Sequence, residues 1–401
     1  MRLFEQSLDK EGWKEYTLVT LLALFITISI AIKVDIMTYD HPDFPKVMDH
    51  HKYIEMAKGN PLNFHIAPFC WRIFVPSLAK IFPFSLQRNF FMIAFMGIFL
   101  TGITIYFVMK EFFSSRIYAT IGIFTFFSLG WGLNCALYDF WLPDALSFLF
   151  MTLILYSILI RNDLLFVILL LIGVSVKESV LFIAPLYYTF NTRKFIDLRL
   201  FMKFVLLVFP SILVLIAVRL IIPAMNEDLV YLSTLNEKLK MVYKGMSSYN
   251  YRELFYSVGV NRFQNLSYKA LKAYSVGTFG VFIMLTPFFA IKKNGLLFVK
   301  FLPFLIFVYA QLLFAVNTER LLIFAFPAMI ILTLNGLKAI SDRLCINPLL
   351  FISLPIVLWG LNMISDGNQA KMELQLLVYI LFLAFTFQIG RVKKNNDLNI
   401  V

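Results

Sequence analysis

Apolar runs of similar length recur along the whole chain, and short basic or turn-rich stretches separate them. A helix needs about 20 consecutive apolar residues to cross the hydrocarbon core of a bilayer. The pattern therefore predicts an all-α polytopic membrane protein with about 11–12 transmembrane helices. The expected spans cover residues 16–34, 87–109, 117–133, 144–160, 164–176, 178–191, 201–222, 276–291, 300–316, 320–337, 348–364 and 373–390.

The number of crossings depends on the run between residues 164 and 191. One long helix would fit this run, but Gly173 and the charged pair Lys177 and Glu178 lie in its middle. Charged side chains are costly in hydrocarbon and are kept there only for a task. Two half-length passes with a break at the charged pair are therefore favoured.

Two long loops provide the only room for structure outside the membrane, and residues 1–401 are predicted to form a single integral-membrane domain. The first outer loop covers residues 35–86, and a second long outer loop covers residues 223–275. The first loop contains two amphipathic stretches, DHHKYIEMAKG and PFCWRIFVPSLAKIFP, whose apolar residues fall at helical spacing. Both stretches are typical of helices that lie in the membrane interface.

The composition supports a membrane protein and excludes other classes. Hydrophobic residues make up 60% of the chain and charged residues 15%, with a mean hydropathy of +0.78. Soluble globular, secreted and disordered classes are therefore excluded. The net charge of +12 is expected to face anionic membrane lipids, and no nucleic acid partner is predicted. Three cysteines without a close pair exclude a disulfide scaffold.

Lys and Arg are distributed unevenly between the short loops on the two sides of the predicted bundle. Most of them fall at the two termini and in the short loops that would share their side. Cytoplasmic loops carry an excess of Lys and Arg, so both termini are expected in the cytoplasm. The two long loops place further cations on the opposite side, which long loops tolerate because they translocate with less regard to charge.

Most of the residues that could perform chemistry fall on the side opposite the termini. All four histidines and several aspartates lie in the first outer loop. The middle thirds of the spans are nearly free of ionisable residues, so the function is expected at a membrane face. Later outer segments add Asp139, Asp144, Lys177, Glu178, Glu319 and Arg320.

Asp49 is the strongest candidate for a catalytic group, because a carboxylate on an interfacial helix could act as a base on a hydroxyl. Arg320, next to Glu319, could bind a lipid phosphate through two hydrogen bonds, although a cation at the interface also snorkels without any function. Lys177 and Glu178 either form a charged wall of the site or cap their helices.

The histidines raise the alternative of a metal site. His50 or His51 with Asp49 could bind a metal, but adjacent residues on a helix point about 100° apart. We therefore predict no metal site and no certain cofactor. A divalent metal held by Asp40, Asp43 and the histidines remains the alternative.

Several segments together resemble a known family. The first outer loop carries Asp49, Tyr53, Met56 and Ala57, followed by PFCWRIFVPSLA. These residues are similar to the DxxxYxxMA and PFxxRxLxPxLA motifs of bacterial polytopic glycosyltransferases of the GT-C superfamily. YDFWLPDAL, VKESVLFIAP and NTERLLIFAFP follow and resemble three later motifs of that family in the same order.

The resemblance implies a multi-span helical fold and transfer of a hexose or pentose from a polyprenyl-phosphate donor. The acceptor would be a hydroxyl of a glycan, lipid or protein at the non-cytoplasmic face of the cell (inner) membrane, in glycan biosynthesis for the cell envelope. Asp49 would be the base in an inverting displacement, and Arg72, Arg320 and Lys177 would bind the donor phosphate. The residues expected to orient donor or acceptor are Asp144, Asp139, Tyr53, His51, Glu178 and Glu319.

A transporter or flippase of a lipid-linked glycan is the main alternative, because it would also need many spans and outer basic residues. Transporters commonly contain paired repeats and broken helices, with ionisable residues at the bilayer midplane. Only the run from 164 to 191 resembles a broken span, and its charges fall at the predicted outer end. A glycosyltransferase is therefore favoured over a transporter and over a non-catalytic assembly subunit.

Overall fold

The computed structural model describes residues 10–44, 49–66, 68–192, 194, 196–222, 267–313, 318–364 and 368–398, and within these residues all regular structure is helical. Short 3₁₀ helices connect several of the α-helices. The α-helices are α1 (Lys10–Lys33), α2 (Asp49–Lys58), α3 (Phe74–Ile81), α4 (Leu86–Phe113), α5 (Arg116–Phe127), α6 (Trp131–Tyr138), α7 (Asp144–Leu159), α8 (Asp163–Val176), α9 (Pro185–Asn191), α10 (Leu198–Ile221), α11 (Tyr268–Leu285), α12 (Ile291–Ala310), α13 (Thr318–Leu322), α14 (Phe326–Leu344), α15 (Ser353–Ile364) and α16 (Asn368–Leu398).

Each of the twelve predicted spans contains helix among its described residues, but the helices differ in length. Six helical segments of the described chain are long and apolar enough to cross a membrane. One of them, Tyr268–Leu313, contains the predicted span 276–291 and the described part of the span 300–316, and non-helical backbone interrupts it at Gly280 and Asn294. Four further apolar helices have only 10–17 residues. The chain is therefore a multi-pass helical membrane protein whose bundle mixes full-length and shorter helices.

The chain reverses direction at the charged pair in the run from 164 to 191. α8 ends at Val176, and Lys177 has an extended backbone. A 3₁₀ helix and then α9 return along α8, so that the Tyr187 hydroxyl donates a hydrogen bond to Asp163 over 2.7 Å. The two half-length passes expected from the sequence are observed.

The first outer loop forms the two short amphipathic helices that its pattern predicts. α2 buries Tyr53, Ile54 and Met56 against the bundle and exposes Glu55. α3 follows, and the Asn89 side chain closes its connection to α4 by donating to the backbone carbonyls that end α3 and begin α4. The loop is therefore packed onto the end of the bundle.

Burial separates a central helix from peripheral ones. The span that contains α14 is 89% buried inside the structure, whereas the spans of α10 and α16 are 11% buried. Apolar side chains that face outward are stable only in a lipid environment. α14 therefore lies at the centre of the bundle, and α10 and α16 present apolar faces to lipid.

Polar contacts identify the two ends of the bundle. At one end, which we call the far end, Glu15 pairs with Lys110 and Arg116 at 2.6 and 2.7 Å. At the opposite end, which we call the site end, the Trp141 indole donates to the Met37 carbonyl over 2.7 Å. The first outer loop and the start of α7 therefore share the site end. Of the second predicted loop, residues 223–266 lie outside the described part of the chain, and α11 begins within its last part.

Gly336 lies where α14 packs closely against the segment that contains Thr286. A Cβ atom at this position would be 2.1 Å from the backbone oxygen of Thr286. We expect Gly336→Ala to lower the free energy of unfolding by about 1–3 kcal/mol, because the backbone must shift to relieve the overlap. Thermal unfolding in detergent would measure this loss. Gly295→Ala in α12 is the control, since nothing lies within 4 Å of its Cβ position, and equal melting of the two variants would contradict the prediction.

Candidate functional site

Four ionisable side chains from distant parts of the chain form a charge cluster at the site end. The cluster consists of Asp49, Asp144, Lys177 and Arg320. The Arg320 guanidinium donates from Nη1 to Asp49 Oδ2 over 3.1 Å and from Nε to Asp144 Oδ2 over 2.5 Å. Lys177 Nζ forms an ion pair with the other oxygen of Asp144. Asp144 is therefore held by two cations, and Arg320 joins two carboxylates.

Local backbone structure explains why the charges meet here. Asp49 is the first residue of α2, and Asp144 is the first residue of α7, after Pro143. The positive end of the helix dipole favours a carboxylate at each of these positions. Lys177 lies in the extended break after α8, and Arg320 lies in α13, just before the central helix α14.

The four members differ in their access to solvent. The side chains of Asp144 and Lys177 are each 2% exposed, and that of Arg320 is 11% exposed. Asp49 is 30% exposed. Buried ions are tolerated when they are paired and hydrogen-bonded, which the buried members are. Asp49 is therefore the carboxylate of the cluster that a ligand can reach.

A second group adjoins the cluster through the peptide bond between Lys177 and Glu178. Arg72 donates from Nε to Glu178 Oε2 over 2.9 Å, and its Nη2 pairs with the other carboxylate oxygen. Arg72 Nη1 also donates to the Tyr53 hydroxyl over 3.1 Å. Arg72, Glu178 and Tyr53, all singled out by the sequence, therefore form one hydrogen-bonded unit.

Asp139 lies close to the cluster but in a different environment. It is buried beside His50, with 4.0 Å between His50 Nδ1 and Asp139 Oδ2. Burial raises the pKa of Asp139 to about 8, and the nearby carboxylates of Asp49 and Asp144 also raise it against the effect of Arg320. Burial lowers the pKa of His50 to about 3. Both side chains are therefore mainly uncharged at neutral pH.

The structure does not bring His51 into the charge cluster. Its Nε2 lies 3.2 Å from the Phe44 carbonyl oxygen. Side chains two residues apart on a helix point in directions that differ by about 200°. His51 therefore points away from the side of α2 that carries Asp49. The side chain of Glu319 lies outside the part of the chain that is described.

The geometry of the two adjacent histidines differs from the expectation that their rings diverge. The rings of His50 and His51 approach to 4.3 Å between centroids, because both pack against Phe44. Even so, the described residues contain no group of three or more His, Cys, Asp or Glu side chains that could hold a metal ion. We therefore assign no residue of the described chain to a metal.

The sequence analysis overlooked Lys52. Its Nζ lies 3.8 Å from Asp49 Oδ1 and 3.9 Å from the centre of the Phe69 ring. The spacing of three residues from Asp49 on a helix is a signal that could have identified it. Burial raises the pKa of Asp49, but the positive charges of Arg320 and Lys52 outweigh this effect and hold the pKa below its usual range.

The two groups together carry a surplus of positive charge. Among the side chains that the structure describes, which do not include that of Glu319, four cations face three paired carboxylates, and burial raises the pKa of a further carboxyl, Asp139, to about 8. A buried site with this balance favours an anionic ligand. The cations are Lys52, Arg72, Lys177 and Arg320, and the carboxylates are Asp49, Asp144 and Glu178.

Comparison with known proteins finds the fold but no sequence relative. No protein-family model and no curated protein matches the chain. Its structure resembles the crystal structure of the Archaeoglobus fulgidus oligosaccharyltransferase in the apo form, with a TM-score of 0.51, 13% sequence identity and coverage of 96% of this chain. The same enzyme tethered to an acceptor peptide that contains the NVT sequon gives a TM-score of 0.51, 13% identity and 95% coverage of this chain.

This likeness covers only part of the archaeal protein. The present chain spans 56% of the apo enzyme and 55% of the tethered one. At this sequence identity, the comparison describes architecture and not activity. The motifs of the first outer loop led us to expect a GT-C architecture, and this expectation is confirmed: the chain is an all-α polytopic membrane protein with a GT-C fold.

Proposed function

We propose that this protein is a membrane glycosyltransferase that moves a sugar from a polyprenyl-phosphate donor to a hydroxyl of a glycan, lipid or protein. The observation that carries the proposal is the pairing of Asp49, a carboxylate accessible to a ligand, with the buried guanidinium of Arg320 at 3.1 Å. In this proposal the carboxylate would act as the base, and the guanidinium beside it would bind the donor phosphate. The fold shared with an oligosaccharyltransferase supports the same reaction class.

The donor phosphate would occupy the positively charged part of the site. When the bond between sugar and phosphate breaks, negative charge develops on the departing lipid phosphate, and fixed cations stabilise it. Arg320 would bind the phosphate through its planar guanidinium group, and Arg72, whose guanidinium pairs with Glu178, would add a fixed positive charge. Lys177 supplies a third, compact positive charge.

Binding of the donor would also prepare the base. In the structure described here, Arg320 lowers the pKa of Asp49 and so makes its carboxylate a weaker base. A phosphate that takes hydrogen bonds from Arg320 competes with Asp49 for the same donor groups. Asp49 would then become more basic when donor is present, and it would accept the proton of the acceptor hydroxyl as that oxygen attacks the anomeric carbon. A single displacement of this kind inverts the configuration of that carbon.

The other residues would position these groups. Asp144 holds Arg320 and Lys177, and Glu178 and Tyr53 hold Arg72. Preorganised donors of this kind need not rearrange during the reaction. Asp139, His51 and Glu319 remain candidates for acceptor or donor orientation, with His51 the weakest because it faces away from the cluster.

The site end would face the non-cytoplasmic side of the cell membrane, with both termini in the cytoplasm. The far end carries basic residues near the ends of helices, which include Lys110, Arg116, Lys203 and Lys293. An excess of Lys and Arg in short loops is typical of the cytoplasmic side. Polyprenyl donors are too apolar to leave the bilayer, so catalysis at the membrane face suits them.

Sugar transfer by the purified protein tests the proposal. Radiolabelled sugars on polyprenyl phosphate would be supplied in detergent, together with acceptors from a lipid extract and a membrane-protein fraction of the host. Nucleotide sugars carrying the same label are the matched control. We expect label to move from the polyprenyl donor and not from the nucleotide donor.

Two results would contradict the proposal. Transfer from nucleotide sugars alone would show a different donor class. Movement of labelled lipid across vesicle bilayers without any sugar transfer would favour a transporter that shares the fold.

A further inference from the structure

Arg219 forms a polar feature of the site end that lies outside the charge cluster. It occupies the last turn of α10. Its guanidinium carbon lies 4.6 Å from the centre of the Trp71 ring, within the range of a cation–π interaction. The Trp71 indole N–H also donates to the Ile222 carbonyl over 3.0 Å. The end of α10 therefore contacts the first outer loop at Trp71, the residue that precedes Arg72.

The surroundings of Arg219 face lipid. Only 11% of the α10 span is buried, and Ile216 and Leu220, which flank Arg219 on the helix, are 49% and 77% exposed. Arg219 itself is half-buried. An arginine in this position stands between the apolar outer surface of the bundle and the loop that carries the site.

Arg219 is also close to the interior cations. The Cys70 thiol, next to Trp71, lies within electrostatic range of both Arg72 and Arg219. Arg219 thus contacts the Trp71 ring from the end of α10, while Arg72, the next residue after Trp71, contacts Glu178 and Tyr53. A charged headgroup that passes Trp71 would move from one guanidinium to the next.

Within the described part of the chain, Arg219 has few polar contacts. Each cation of the inner site pairs with a carboxylate. Arg219 donates from Nη1 to the Leu215 carbonyl over 3.2 Å and stacks on Trp71, and no carboxylate of the described residues is within ion-pair distance of it. Stacking on an indole fixes the plane of the guanidinium, and its N–H edge remains available for a phosphate.

We propose that Arg219 and Trp71 form a capture site for the phosphate of a long-chain lipid, at the point where that lipid moves from the bilayer toward the charge cluster. This inference rests on the proposed function, because it assigns the first contact of the same donor. The ligand class is a phosphate ester on a membrane-embedded chain. Arg219 would act as a binding residue and would not touch the reacting atoms.

Binding of undecaprenyl phosphate to the purified full chain in nanodiscs tests the proposal. Undecaprenol tests whether the phosphate is needed, and inorganic phosphate as competitor tests whether the lipid is needed. The variants are Arg219→Gln, which removes the charge, and Arg219→Lys, which keeps the charge without a planar group. Arg199→Gln is the matched control, because Arg199 is an exposed arginine at the far end of the same helix.

We expect Arg219→Gln to weaken binding of undecaprenyl phosphate about tenfold, with Arg219→Lys intermediate and Arg199→Gln unchanged. Undecaprenol should bind weakly and equally to all of them, and millimolar inorganic phosphate should not displace the lipid.

If wild type prefers the phosphorylated lipid and Arg219→Gln retains that preference, the capture site is wrong and the proposed function stands. If wild type binds undecaprenol and undecaprenyl phosphate equally, both are overturned. Displacement by inorganic phosphate at low concentration would show a phosphate site that does not recognise lipid and would also overturn the capture site.

Discussion

Replacement of Asp49 with Asn is expected to reduce sugar transfer by about 10²–10⁴-fold, the range that a general base contributes. Asn has nearly the shape of Asp, and its amide oxygen still accepts a hydrogen bond from Arg320, but it cannot take a proton from an acceptor hydroxyl. The loss should appear in the rate at saturating donor and acceptor. It is measured by initial rates of label transfer from the polyprenyl donor.

Donor binding separates a lost base from a damaged site. Without the Asp49 carboxylate, Arg320 loses an anionic competitor, so Asp49→Asn should bind undecaprenyl phosphate at least as tightly as wild type. Asp35→Asn is the matched control in the same loop, because the Asp35 side chain is 88% exposed and pairs only with His41 in the described structure. Transfer by Asp49→Asn at a rate close to that of Asp35→Asn would remove Asp49 from the role of base.

Local patterns in the sequence predict the helices well. Hydropathy reports whether about 20 residues can be buried in lipid, and a charged pair inside an apolar run predicts a break. Each of the twelve predicted spans contains helix among its described residues, and the reversal occurs at Lys177. The amphipathic spacing of the first outer loop predicts the short helices α2 and α3 for the same reason. The helices and the break depend on residues that are close together in the chain, so the sequence pattern is enough to predict them.

Ion pairs between residues that are far apart in the chain could not be predicted from local sequence patterns. Arg320 contacts Asp144 and Asp49 across 176 and 271 positions of the chain. The order of the motifs indicates that these residues share a face, but it does not reveal that one guanidinium joins both carboxylates. That arrangement depends on how α2, α7 and α13 pack at one end of the bundle.

Two further side chains have surroundings that the sequence pattern does not convey. His51 lies within a motif that contains Asp49 and Tyr53, yet helical phase turns it to Phe44. Arg219 carries no sequence signal of its own, because an arginine at the end of an apolar span usually snorkels to the interface. Only the contact with Trp71, a residue of the first outer loop, distinguishes it.

Replacement of Asp144 with Asn is expected to cost about 3–5 kcal/mol of unfolding free energy, the loss typical when one partner of a buried ion pair is removed. Asp144 is the carboxylate that the buried Lys177 contacts, and it also accepts a hydrogen bond from Arg320. Its loss leaves Lys177 without that counter-ion in a site already rich in positive charge. Unfolding in detergent, followed by circular dichroism over a denaturant series, measures the effect.

A paired substitution distinguishes charge from packing. In the background of Asp144→Asn, Lys177→Met removes the uncompensated ammonium and places a thioether near Phe324, whose ring centre now lies 4.5 Å from Lys177 Nζ. The double variant should therefore recover a large part of the lost stability. Recovery by this route is possible only if the cost of Asp144→Asn is electrostatic, because a packing defect at Asp144 would persist in the double variant.

The matched control is an ion pair at the far end of the bundle. Asp342 and Lys293 lie 3.2 Å apart, but their side chains are 47% and 65% exposed. Water already screens this pair, so Asp342→Asn should change stability by about 0–1 kcal/mol. If Asp144→Asn cost no more than Asp342→Asn, the charge cluster would not be the buried, mutually dependent unit that the proposed phosphate site requires. If the double variant were less stable than Asp144→Asn alone, Lys177 would be held by contacts other than its carboxylate partner.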